Sequence, residues 1–196
     1  MGEMKSAFEK AMERVASIGE PSNEEKLTWR YVPEGRRLAA EYLKEESNLI
    51  AELSSFGEEE KLYVRRGAEE VLLRNIVLPV NDFAKQMNKK AMEGIKAIKL
   101  DKAALENVYS KIRRIFDHYG QEGEQQRSQS YEMLKQQFQA RIQHLVQQQG
   151  GLPPGARVDV EGQPQFQEEW RSTLAQLDSQ YNTLLDGYKQ EISGIR

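Results

Sequence analysis

"QQQGGLPPGARVDVEGQPQFQEEW", residues 147–170, separates two stretches that otherwise read as unbroken helix. Its reading decides the fold, because it is either a tether between independent segments or the tip where one chain doubles back. The flanks carry the answer. Before it, Tyr131, Leu134, Phe138, Ile142 and Leu145 recur at steps of three and four. After it, Phe166, Trp170, Leu174, Leu177, Tyr181, Leu184 and Tyr188 make nearly a heptad seam. In an antiparallel pair, facing positions have a constant sum. Ile142 with Trp170, Phe138 with Leu174, Leu134 with Leu177 and Tyr131 with Tyr181 all total 311 or 312. The stretch is therefore read as a hairpin tip, and those eight residues as the hairpin seam.

Within the tip, Gly150-Gly151 stops one helix and Pro153-Pro154 keeps it from resuming. "RVDVE" is then extended, with Val158 and Val160 on one side, and Pro164 falls in the first turn of the last helix. At about 14 residues the loop exceeds what turning the chain requires. The valines either cover the hairpin end or offer an edge to a partner.

That register leaves an apolar remainder. Leu184, Leu185 and Tyr188 would face the polar stretch 121–130, while Ile192 and Ile195 would reach the level of Phe116 and Tyr119. These five residues form a candidate partner or dimer face, open to the N-terminal helices or to a second copy.

Upstream, nearly every segment has helical spacing, and only six prolines interrupt it. Met4, Phe8, Met12 and Val15 line one face of a first helix, and Ser22 or Asn23 caps a short turn ending before Pro33. Leu38, Tyr42, Leu49, Leu53 and Phe56 line a second helix closed by Gly57. A third is expected over 58–99, kinked at Pro79 inside its most apolar run, VLLRNIVLPV. A buried strand is the alternative for residues 71–80, and residues 71–83 are the expected core centre. Asp101 caps a further helix through Leu105, Val108, Ile112, Ile115, Phe116 and Tyr119. Glycines 120 and 123 then open a stretch without apolar side chains, as either a hinge or part of one continuous helix. The chain thus reads as all-α: a helical body over 1–120, and an antiparallel, coiled-coil-like hairpin arm over 121–196 with an extended tip at 150–164.

Composition limits function. A chain of 196 residues with 38% hydrophobic and 30% charged residues has a mean hydropathy of −0.76, which suits an elongated helical protein. Net charge is −3, so no global basic field recruits nucleic acid or anionic lipid. There are no cysteines, hence no disulfide, thiolate metal site or cysteine nucleophile. With no signal-peptide pattern and no membrane-length apolar run, a cytoplasmic protein without a membrane partner is expected.

Phosphate-binding and nucleophile-elbow motifs are missing. The two histidines, His118 and His144, lack the Glu three residues before them that a helical di-iron site requires. His118 with Glu122 has i, i+4 spacing, but Gly120 intervenes and no second pair exists. No metal, cofactor or catalytic residue is assigned, and no enzyme is expected. Charge is nevertheless uneven. Residues 85–114 carry nine basic against three acidic residues, including Lys85, Lys89, Lys90, Lys96 and Lys99, whereas residues 34–60 carry three basic against eight acidic. These helices either pack with complementary faces or present a nucleic-acid strip.

"MGEMKSAFEKAMERV" and "GLPPGARVDVEGQPQFQEEWRSTLAQLDSQY" resemble stretches of a family of uncharacterised, all-helical bacterial proteins. The resemblance implies a bacterial, cytoplasmic domain of unknown function and transfers no activity or site. The expected function is a non-catalytic interaction or scaffold protein that self-associates through its last helix. The alternative is an RNA- or ribosome-associated factor using residues 85–114.

Overall fold

The computed structural model describes residues 21–45, 47–148 and 159–196. They form seven α-helices and no strand, so the fold is all-α. The expected first helix and most of the hairpin tip, with its Gly-Gly, Pro-Pro and Val158, lie outside the described residues. The chain divides into two compact units, 1–72 and 73–196. The division falls well before the boundary expected at residue 120.

In the first unit, α1 (Asn23–Leu43) starts with a capping box: Ser22 Oγ accepts from the Glu25 N–H, and the Glu25 carboxylate accepts from the Ser22 N–H. Pro33 does not stop this helix, contrary to expectation, but lies inside it. The helix ends at Leu43, and Glu45 adopts φ 66°. Asn48 then caps the separate short α2 (Leu49–Ser54), so the continuous second helix is two pieces. A close crossing joins α1 to α3 (Glu58–Arg74). A Cβ built on Gly35 would lie 1.9 Å from the Val64 carbonyl oxygen, and one on Gly67 would lie 2.0 Å from that of Val32. Only hydrogen fits on either side. Arg36 and Glu70 close the crossing with an ion pair at 2.8 Å.

The second unit begins where α3 ends. The expected long helix with a kink is instead two helices, and the alternative strand is also not formed. Residues 75–81 are non-helical, and α4 (Asp82–Ile98) starts from an Asn81 cap. This non-helical segment has no partner strand among the described residues. Asn88 of α4 supplies one residue's worth of ladder: its Oδ1 accepts from the Val77 N–H at 2.8 Å, and its Nδ2 donates to the Val77 carbonyl at 2.7 Å. Ile76 and Leu78 are buried, whereas Val80 and Phe83 are exposed, so only part of the expected core centre is core.

Three helices complete this unit: α5 (Lys102–Gly120), α6 (Glu122–Gln148) and α7 (Pro164–Ser193). Gln121 alone joins α5 to α6, at φ −108° and ψ −82°. The last helix runs antiparallel along both. Lys111 pairs with Glu191, Tyr119 packs edge-on to Tyr181, Tyr131 on Trp170, and Phe138 on Phe166. At the far end, the Leu100 and Asp101 N–H groups donate to the Arg196 carbonyl, and Lys99 Nζ donates to that of Ile195. Residues 121–196 are therefore not a free arm. The polar stretch 121–130 is a joint in a helix that α7 spans.

Candidate functional site

The seam closes in a register different from the constant-sum reading. Tyr131 stacks edge-on against Phe166 and Trp170, with ring centroids 5.5 and 5.0 Å apart, and not against Tyr181. Tyr131 with Trp170 totals 301, which is eleven residues, or three helical turns, from the expected sum. Phe138 meets Phe166, and these two with Val160 form a buried cluster against which Tyr131, Leu134 and Ile142 pack. Val160 thus helps to close the hairpin end. Trp170, Leu174 and Leu177 are half-buried. The physical reason for the offset is periodicity: two stripes of three- and four-residue steps match at any displacement by whole turns. The aromatic fill around Phe166 and the hydrogen bonds at Ile195 and Arg196 select among them.

With this register, Tyr181 sits at the α5–α6 joint. His118 Nδ1 lies 2.9 Å from its hydroxyl, so the histidine is engaged there and not with Glu122. Arg127 lies over the Tyr119 ring, 4.0 Å from its centroid, and donates to the Tyr119 carbonyl and to Glu124. Gly123 is no hinge: a Cβ there would come within 3.1 Å of the Tyr181 hydroxyl and 3.2 Å of Arg127. Burial, reinforced by the nearby Asp178 carboxylate, pushes the Tyr119 hydroxyl up to about 12. Asp178 Oδ1 is itself buried without a hydrogen-bond partner.

The candidate partner face divides. Leu185 and Ile192 are fully buried, Ile195 and Tyr188 are half-buried, and Leu184 remains 53% exposed. The two outward residues, Leu184 and Tyr188, join a groove of about 650 Å³ between α5 and α7. Its α5 wall is Lys111, Arg114, Ile115 and His118; its α7 wall is Leu177, Tyr181, Leu184 and Tyr188, with Gln126, Gln176 and Gln180 at one end. Among the described residues no carboxylate lines it. Lys111 reaches over the Tyr188 ring while paired with Glu191 at 2.8 Å, and this pairing raises its pKa. Arg114 is exposed and forms no ion pair among the described residues. The α5 wall went unrecognised in sequence because its spacing overlaps the buried stripe. The signal was present: residues 111, 114 and 118 recur at steps of three and four.

The basic strip is not continuous. Lys99 is buried, with its ammonium on the Ile195 carbonyl, so it belongs to the fold rather than to a solvent-facing surface. Lys85 pairs with Asp82 at 2.9 Å, and Lys90 is half-buried. Lys85, Lys89 and Lys96 border a second cleft, of about 420 Å³ between α4 and α5, together with Glu93, Glu106 and Asp117. Tyr109 closes its floor by donating to the Met92 carbonyl at 2.6 Å. This cleft has mixed charge, unlike the groove.

Among the described residues, no group of three or more His, Asp or Glu is placed to hold a metal ion, and no helix is long and apolar enough to cross a membrane. Comparison with curated proteins and with solved structures returns no match. Residues 50–194, which include all of α3 to α7 and hence both walls of the groove, match the model of a family of unknown function, DUF6657, and the chain belongs to that family.

Proposed function

We propose that the chain is a non-catalytic interaction module and that the groove between α5 and α7 is its docking surface. One observation carries this reading. Beside the stripe each helix already buries, a second one recurs at steps of three and four: Lys111, Arg114 and His118 on α5, and Leu177, Tyr181, Leu184 and Tyr188 on α7. On α5 the buried residues are Leu105, Val108, Tyr109, Ile112, Ile115 and Tyr119, and on α7 they include Leu185 and Ile192. An open channel between two such helices is what remains when a bundle lacks one member. The partner face expected on the last helix contracts to this groove, because much of the apolar remainder is turned inward.

A photo-cross-linking amino acid at Leu184, introduced in the cells the protein comes from, tests the reading. A discrete cross-linked product is expected from position 184 and none from exposed Asn107, which lines neither cleft. No product from position 184, nor from a second probe at Tyr188, would contradict it.

A further inference from the structure

From the charge and spacing of its walls, we infer that the groove receives an acidic, amphipathic α-helix of a different protein; this inference rests on the docking reading above. The helical form follows from the spacing. Along α7 the groove extends from Gln176 to Tyr188, about 18 Å at 1.5 Å per residue, which is room for three turns. Leu177 and Leu184, seven residues apart on α7, present apolar surface at the spacing of the i and i+7 anchors of a helix laid alongside, and the largely buried Ile115 lines the facing wall. The acidic character follows from the rim. Lys111, Arg114 and His118 stand on one wall, and the other contributes amides and hydroxyls without a carboxylate. Glu191 answers Lys111 within the fold, so Arg114 is the cation left for a partner.

A second copy fits poorly. In a two-fold contact the patch meets itself, setting basic rim against basic rim. A contact between unlike patches of identical chains instead propagates into rings or filaments. A different chain with Asp or Glu beside its apolar stripe avoids both costs.

Two synthetic helical peptides of about 16 residues test this, each with leucines at i, i+4, i+7 and i+11, one flanked by glutamates and the other by lysines. The full chain is titrated into each, labelled, and anisotropy is read at low and at physiological salt. The glutamate peptide is expected to bind at least about tenfold more tightly than the lysine peptide, and to weaken with salt. Arg114→Glu is expected to weaken it by a further tenfold or so while leaving the circular dichroism unchanged, since Arg114 is exposed and forms no ion pair among the described residues. Equal binding of both peptides, or indifference to Arg114→Glu, overturns the acidic-helix inference and leaves the docking reading intact. A cross-link from Leu184 to a second copy does likewise, whereas one back into the same chain overturns both. Absence of peptide binding together with absence of any cross-link overturns both.

Discussion

At the residue scale, the tightest constraint is the pair of glycines where α1 crosses α3. The Cβ of an alanine at Gly35 would sit 1.9 Å from a backbone oxygen, and backbone does not yield as a flexible side chain does. Gly35→Ala is expected to destabilise the protein by about 2 kcal/mol or more, read as a lower denaturant midpoint. Gly120→Ala is the contrast. Nothing lies within 4 Å of a Cβ there, so the change is expected to fall within about 0.5 kcal/mol of neutral or above it. Tyr119 makes a different prediction. Its pKa is raised from 10.0 to about 12 by burial first and the charge of Asp178 second. The native state then holds a proton that the unfolded chain releases near pH 10. The stability this provides is present below pH 10 and is lost as pH rises toward 12. Tyr31 and Tyr131 are also raised, so ultraviolet titration should show a late tyrosinate fraction that shrinks in Tyr119→Phe and whose Tyr119 share moves to lower pH in Asp178→Asn. The unfolding temperature of Tyr119→Phe should depend less on pH across that window.

Breaks between elements were harder to read than the elements themselves. Caps at Ser22 and Asp101 were legible because a short polar side chain precedes each apolar-periodic run. Pro33 misled, because proline also tolerates a helix interior where the lost hydrogen bond is offset by tertiary packing, and both Tyr31 and Val32 are buried beside it. Residues 75–81 were opaque for another reason. The backbone of Val77 is held by the Asn88 side chain, eleven residues away. In sequence Asn88 is one more polar residue among lysines. Replacing it removes a buried amide that pairs both Val77 groups. Asn88→Leu is expected to cost about 2–4 kcal/mol, with faster hydrogen exchange at the Val77 amide as its local signature. Asn88→Asp keeps the acceptor and loses the donor, so it should protect that amide while still destabilising the protein.

For the whole molecule, all-α character was legible from periodicity, whereas the division at residues 72–73 and the hairpin register were not. The absence of apolar side chains over 121–130 signalled a boundary, yet Arg127 and Gly123 there pack beneath Tyr119 and Tyr181. Likewise, Leu184 and Tyr188 were recognised as outward-facing, but their α5 neighbours were not, because only the register places Arg114 and His118 opposite them. The groove therefore depends on that register. Nuclear Overhauser contacts between selectively labelled aromatic rings measure it directly. Cross-peaks are expected between Tyr131 and Trp170 and between Tyr119 and Tyr181, whose ring centroids lie 5.0 and 5.1 Å apart, and none between Tyr131 and Tyr181. A Tyr131–Tyr181 cross-peak without one from Tyr131 to Trp170 would contradict the register and remove the groove with it.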